Sequence, residues 1–133
     1  MANYTALCRS NYVQARDNNA LSEFFSSFSE MEILEKDGRL GFICHDGMPH
    51  REDEDGENRV SILALAKELG ALMAEDEILV IKEIGSERLR YLIGGAIAIH
   101  SSGEFCSLSL CDIYKRASDA FGVDLDRISA CAF

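Results

Sequence analysis

Apolar positions near the N-terminus follow the period of a helix behind a short extended segment. Residues 6–15 favour a first strand, because β-favouring side chains surround Tyr12 and Val13. Asp17 is typical of an N-cap, whose side chain accepts hydrogen bonds from the first free amides of a helix. Four apolar residues behind it recur at i, i+3, i+4 and i+7, namely Leu21, Phe24, Phe25 and Phe28. This spacing predicts a short helix that turns three aromatic rings towards a sheet.

Alternating apolar positions then predict a β-hairpin. The two runs, around Ile33 and Phe42, flank residues 36–39, and the central Asp37-Gly38 pair is a strong signal for a two-residue turn. Residues 45–58 follow and hold two glycines, a proline and six carboxylates. We expect this acidic segment to be a solvated loop, of a length that is uncommon inside a compact domain.

The second half of the chain predicts a helix, a hairpin and a final helix. Asn58 is the expected cap of a helix that runs to about residue 74. Residues 78–84 and 88–99 are rich in β-favouring side chains and form a hairpin around a three-residue loop. Gly94-Gly95 in its second strand predicts a bulge or bend. After a turn at 101–104 we expect a short extended piece.

The last predicted helix has a start signal and a stop signal. Ser109 and Asp112 form a variant of the capping box, and Gly122 supplies the C-terminal stop. The elements therefore run strand, helix, hairpin, helix, hairpin, helix. This order is typical of a single α+β domain over residues 1–133, with two layers, an antiparallel or mixed sheet of about five strands, and three helices.

Charge narrows the possible partners. The 133 residues include 13 Lys plus Arg and 23 Asp plus Glu, a net charge of -10. A chain this acidic is a poor binder of nucleic-acid phosphates, and its field favours a basic protein partner. Residues 17–87 hold 18 acidic and 6 basic side chains, whereas residues 88–133 hold 5 of each. The acidic excess therefore lies in the first two thirds.

The five cysteines and the apolar runs indicate the compartment. An odd number of cysteines without close pairs argues against a disulfide framework. The longest apolar run is residues 91–99, about half of the ~20 residues that a membrane-spanning helix needs. The N-terminal residues lack the unbroken apolar stretch of a signal peptide. We expect a cytoplasmic protein with no membrane contact.

Candidate chemistry is sparse. Cys44, His45 and His50 supply zinc-ligand types, but adjacent residues of a strand point to opposite faces, so Cys44 is predicted to be a core thiol. His100 and Cys106 straddle a turn and are the best available base and thiol pair. The surrounding sequence has no nucleophile motif. We therefore predict no catalytic, cofactor-binding or metal-binding residues.

Several motifs together resemble a group of small uncharacterised α+β proteins carried by plasmids and phages. They are Ser10-Asn11-Tyr12 with Asp17, Ile84-Gly85-Ser86-Glu87-Arg88-Leu89-Arg90-Tyr91, Gly94-Gly95-Ala96 and Leu110-Cys111-Asp112-Ile113-Tyr114. Val13 departs from the aromatic residue expected there. The resemblance implies a mobile-element setting and no catalytic residues. Acidic proteins from such settings often look like inhibitors of host nucleic-acid enzymes, of the anti-restriction or anti-CRISPR type.

The leading functional hypothesis is a non-enzymatic module that docks onto a basic, nucleic-acid-handling host protein. The predicted partner-binding residues are the carboxylates of the acidic segment: Asp46, Glu52, Asp53, Glu54, Asp55 and Glu57. Two alternatives stay open. One is a small enzyme or ligand-binding domain with a pocket between sheet and helices and with His45 or His100 as its titrating group. The other is a structural homo-oligomer, such as a homodimer, formed through a sheet face or edge.

Overall fold

Strands account for most of the ordered elements. A computed structural model describes residues 4–45, 47–52, 55–56, 58–87 and 91–131 of the chain. The strands are β1 (Tyr4–Ser10), β2 (Met31–Lys36), β3 (Arg39–Cys44), β4 (His50–Glu52), β5 (Arg59–Ser61), β6 (Ile78–Glu87), β7 (Tyr91–His100) and β8 (Phe105–Ser109). The helices are α1 (Asn18–Ser26), α2 (Ala66–Leu72) and α3 (Asp112–Phe121), with 3₁₀ turns at Ile62–Leu65 and Leu125–Arg127.

The main sheet has six strands in the order β2-β3-β1-β6-β7-β8, and β4 and β5 form a separate two-stranded hairpin. Neighbouring strands of the main sheet run antiparallel. The predicted α+β class with three helices and an antiparallel sheet is therefore confirmed. The main sheet has six strands and not about five, and the hairpin adds two more.

Helix α1 begins where the sequence predicts and packs as predicted. The Asp17 carboxylate accepts hydrogen bonds from the amides of Asn19 at 2.9 Å and Ala20 at 3.4 Å. Phe25 is fully buried and meets Phe42 of β3 edge to face, with the ring centroids 5.1 Å apart. Burying each such ring stabilises the fold by about 1.5–3 kcal/mol. Helix α1 is therefore held to β2 and β3 by aromatic packing.

The core lies between one face of the main sheet and the helices α1 and α2. Its buried residues come from both layers: Cys8, Val13, Leu21, Phe24, Phe25, Phe28, Leu40, Phe42, Cys44, Ile62, Ala66, Leu69, Met73, Leu79, Ile81, Ile97 and Ile99. Side chains alternate between the faces of a strand, so the residues between these buried ones point to the opposite face. We call that opposite face the open face.

The first predicted hairpin is confirmed. Lys36 and Arg39 are the last paired residues of β2 and β3, so Asp37 and Gly38 alone make the turn. Both have positive φ, 54° and 79°. This backbone is that of the tight turns whose twist matches that of the flanking strands.

Three boundaries differ from the sequence predictions. The first strand covers Tyr4–Ser10, and the segment after it makes only isolated bridges at Val13 and Ala15. Part of the acidic segment forms β4 instead of a loop, and β4 pairs with β5, which begins just after the segment. Ser61, and not Asn58, caps the next helical segment, because its hydroxyl accepts from the Leu63 amide at 3.1 Å. The local composition of the acidic segment did not reveal that β4 pairs with β5.

The second predicted hairpin exists, but the predicted loop residues 85–87 belong to its first strand. Strand β6 continues through Gly85 to Glu87, and its partner β7 begins at Tyr91. The predicted bulge at Gly94-Gly95 is wrong, because the register passes through both residues without a slip. Gly94 instead leaves room for Leu110, whose Cδ1 would lie 2.7 Å from a Cβ at that position.

Helix α3 stops as predicted, begins at Asp112, two residues later than a Ser109 cap predicts, and is not packed on the sheet. The Asp112 carboxylate accepts from the Ser109 amide at 2.7 Å, and the Ser109 hydroxyl accepts from the Cys111 amide at 3.1 Å. Gly122 ends the helix with φ 65°. The main packing partner of α3 is the turn at Leu125–Arg127, and no residue of α3 is buried.

Gly70 supports a prediction that reverses the usual effect of alanine in a helix. A Cβ there would lie 2.7 Å from the Ser101 carbonyl oxygen and 2.9 Å from the Gly103 amide nitrogen. Gly70→Ala gains about 1 kcal/mol of helix propensity but forces α2 away from the turn that joins β7 and β8, so we expect a net loss of about 1–2 kcal/mol. Urea unfolding measures it. Stabilisation by Gly70→Ala would contradict this packing; Ala71→Gly, at an exposed site, reports propensity alone.

Candidate functional site

The predicted partner-binding carboxylates belong to the β4–β5 hairpin and its flanks. Glu52 ends β4 and Asp55 lies in the turn that follows, and both are exposed. A Cβ on Gly56 would lie 3.7 Å from the Glu52 carboxylate, so this side chain lies over the turn. Asp46, Asp53, Glu54 and Glu57 lie outside the described residues. The structure therefore places two of the six predicted residues, and it brings them to one tip.

Arg51 anchors this hairpin to the helix layer. Its guanidinium carbon lies 5.6 Å from the ring centroids of both Phe24 and Phe28, within the range of a cation–π contact. One guanidinium nitrogen donates to the Ser27 hydroxyl at 2.9 Å, and another lies 3.7 Å from the Glu68 carboxylate. The Ser29 amide also donates to the His50 carbonyl at 3.1 Å. The acidic tip thus projects from a fixed base.

Further exposed carboxylates lie on or next to the helices and the β2–β3 hairpin. We call the acidic side eight exposed carboxylates on or next to α1, α2 and the two short hairpins: Glu23, Glu30, Glu35, Asp37, Glu52, Asp55, Glu68 and Glu75. Glu32 of β2 is also exposed but faces His45 and is not included. Of these eight, within the described ranges, Glu68 has an ion-pair partner, and the other seven have none. Their negative charge is therefore available to a partner.

The open face carries a different surface. We call the apolar face the exposed side chains of Leu7, Ile84, Leu92, Leu108 and Leu110 on the sheet, with Ile113 and Phe121 on α3. Strand register brings Leu7 opposite Ile84 and Ile84 opposite Gly94, over which Leu110 packs. Leu7, Ile84, Leu92 and Leu110 line a groove of about 490 Å³ together with Thr5 and Ser86. The groove is almost wholly apolar in its residue types.

Two cations mark the other end of the open face. Arg9 and Lys82 are register partners on β1 and β6, and both are exposed. Like charges directly opposite each other on a sheet are destabilising. They border a cavity of about 220 Å³ that also contacts Asn11, whose side chain accepts from the Val80 amide at 2.8 Å. The part of the open face formed by the apolar face and by Arg9 and Lys82 therefore carries no acidic side chain.

The residues of the enzyme and zinc alternatives are spread over the molecule. Cys44 is buried in the core, as predicted, whereas His45 lies 3.6 Å from the Glu32 carboxylate on the surface. His100 and Cys106 do border one shallow cavity. The His100 ring, however, already contacts the Ser102 hydroxyl at 2.9 Å and the Asp76 carboxylate at 3.4 Å.

Sequence reasoning missed the apolar face and the Arg9–Lys82 pair. Both depend on which strands are neighbours, which a single sequence does not state. One local signal was available, since β8 reads Phe-Cys-Ser-Leu-Ser without a charged residue or a proline. A strand that ends a sheet in this way lacks the usual protection of an edge.

Cys8 supports a prediction about stability at high pH. Burial, helped by Cys44 and Glu83, raises the pKa of this thiol from 9.0 to about 12. The unfolded chain therefore loses this proton first, so the contribution of Cys8 is fully present below pH 9.0 and is lost as the pH rises towards about 12. Between these limits we expect parent stability to fall by about 1.4 kcal/mol per pH unit relative to Cys8→Ala. Urea unfolding of both proteins measures the difference, and parallel curves would contradict it.

Comparisons with known proteins complete the description of the site. Among the described residues, none of the helices is long and apolar enough to cross a membrane, and no three His, Cys, Asp or Glu side chains gather as a metal site would require. No protein-family model matches the chain, and no curated protein and no solved structure is significantly similar to it.

Proposed function

We propose that this chain is a non-enzymatic binding module whose acidic side docks onto a basic, nucleic-acid-handling protein. The observation that carries the proposal is the segregation of charge. Seven exposed carboxylates of the acidic side lack an ion-pair partner among the described residues, and residues 88–133 are charge-balanced. A partner with a basic surface gains most by approaching from the acidic side.

The chemistry of such docking is that of phosphate mimicry. Carboxylates form short, charge-assisted hydrogen bonds with arginine, as the phosphates of nucleic acids do. A partner arginine that is engaged by Glu52 or Asp55 is not available to DNA or RNA. The mobile-element setting that the resemblance implies makes a host enzyme the proposed target.

The base of the β4–β5 hairpin supports this role. Arg51 fixes β4 against Phe24 and Phe28, so its exposed end is presented from a packed base. Ordering fewer residues on binding leaves more of the interaction energy for affinity. Binding through exposed charges also weakens as salt rises, because ions screen it.

The test neutralises the hairpin tip. A variant with Glu52→Gln, Asp53→Asn, Glu54→Gln and Asp55→Asn loses four negative charges at the tip. The parent is expected to retain a basic host protein at low salt and to release it at high salt. At about 0.5 kcal/mol for each exposed ion pair, the variant should bind the purified partner about 30-fold more weakly. Isothermal titration calorimetry measures both affinities, and duplex DNA should compete with the parent.

A matched control separates the tip from net charge. Glu104→Gln, Asp119→Asn, Asp124→Asn and Asp126→Asn remove the same charge from the neutral third of the chain. The control should bind like the parent. The proposal fails if no basic protein is retained, if the two variants bind equally, or if DNA does not compete.

A further inference from the structure

The apolar face is the largest surface feature that the proposed function does not use. Ten large hydrophobic side chains are exposed among the described residues, and all of them lie on β1, β6, β7, β8 or the C-terminal segment after β8. They are Leu7, Ile78, Ile84, Leu92, Phe105, Leu108, Leu110, Ile113, Phe121 and Leu125. Phe105 pairs with the buried Ile99 and therefore points to the helix side, but seven of the ten form the apolar face. Single exposed hydrophobic residues are ordinary, whereas a contiguous set marks a surface that another molecule covers.

The accessible surface area of the chain is larger than that of a typical compact monomer of the same mass. The accessible surface is 8921 Å², whereas a compact monomer of 14.7 kDa exposes about 6,900 Å². The excess is about 2,000 Å², and a standard interface takes about 800 Å² from each partner. The excess of the whole chain is therefore larger than the area that one partner buries in a standard interface.

Charge favours a second copy of this chain as the occupant. The C-terminal third, which carries β7, β8 and α3, holds 5 acidic and 5 basic residues. Two copies can meet there with their acidic sides turned outwards and far apart. A basic protein would favour the acidic side instead, and an anionic lipid surface would favour a larger cluster of Lys and Arg than the Arg9–Lys82 pair on the open face.

We propose that the chain forms a symmetric homodimer in which α3 of each copy packs into the apolar groove of the other. Ile113 and Phe121, eight residues apart, lie on one stripe of α3 with Ala117 between them. They are 60% and 77% exposed. The groove beside Leu92 and Leu110 is an unfilled site of about 490 Å³ on the same chain. In a symmetric dimer the ridge of each copy enters the groove of the other, so the same contact forms twice across the two-fold axis.

The turn before α3 explains why the helix does not fill the groove of its own chain. Leu110 packs over Gly94 and its amide donates to the Gly94 carbonyl at 2.8 Å. Two residues later α3 has begun, and the reciprocal hydrogen bonds between Ser109, Cys111 and Asp112 set its direction. A second copy can meet the groove with this turn unchanged.

The two edges of the main sheet agree with this arrangement. The β2 edge carries Glu32, Glu35 and Lys36, charged residues that discourage pairing with another strand. The β8 edge carries no charge and no proline. An edge that lies within a dimer interface does not need such protection.

The experiment measures the mass of the full chain in solution and perturbs each half of the contact. Light scattering with gel filtration should give twice 14.7 kDa under reducing conditions. A ridge variant, Ile113→Asp with Phe121→Asp, and a groove variant, Ile84→Asp, should each raise the dimer dissociation constant about 100-fold, because two copies of each change enter the interface. All three sites are more than half exposed, so circular dichroism should show an unchanged fold.

Mixing the two variants is the decisive measurement. A mixed dimer keeps one intact contact, in which the ridge of the groove variant enters the groove of the ridge variant. The mixture should therefore dimerise about tenfold more tightly than either variant alone, since one of two contacts is restored. A control with Ala64→Asp and Ala71→Asp adds the same charge as the ridge variant at exposed sites of the helix layer and should stay dimeric.

Four results would overturn the proposal. They are a monomer at every concentration, dimers that survive in both variants, a mixture that behaves like its components, and a monomer that floats with phosphatidylglycerol vesicles. The inference does not depend on the proposed function, and salt separates the two. Dimerisation should hold or strengthen as salt rises, because two copies of charge -10 repel each other less when screened. Docking of a basic partner should weaken.

Discussion

The constraint on which this structure depends is that the chain forms more sheet than its helices cover. Helices α1 and α2, of nine and seven residues, pack on one face of a six-stranded sheet. The buried residues of both layers form one core there, and the opposite face is left to the solvent or to a partner. An antiparallel sheet tolerates one solvated face when that face is polar. Here a large part of the uncovered face is apolar, and such a face is typical of a binding surface.

Charge and hydrophobicity divide the molecule in the same way. The acidic side belongs to the helices and the two short hairpins, and the apolar face belongs to β1 and β6 together with strands and a helix from the charge-balanced third. A partner for one side is therefore a poor partner for the other. If both proposals hold, the dimer presents two acidic sides facing away from each other. Two linked sites can hold a partner with repeated basic surfaces more tightly than one site can.

Sequence reasoning succeeded where the deciding contacts are local. The Asp17 cap, the Asp37-Gly38 turn and the Gly122 stop each depend on residues within a few positions, and all three are confirmed. It failed where distant segments decide. Ser61 displaces Asn58 as the cap because β5 pairs with β4, and Gly94 serves the close approach of Leu110 instead of a bulge. Neither the pairing of β5 with β4 nor the contact of Leu110 with Gly94 can be inferred from the flanking residues.

The candidate surfaces show the same division. By itself the sequence determined the fold class, the hydrophobic face of α1 and the acidic excess, because composition and period depend on residue type alone. Glu52 and Asp55 are exposed, as their setting among charged residues predicts. The tertiary structure alone decided that α3 leaves the sheet and that Leu7, Ile84 and Leu92 meet in a groove. Strand order and register determine which side chains are neighbours, and both arise from contacts between residues far apart in the chain.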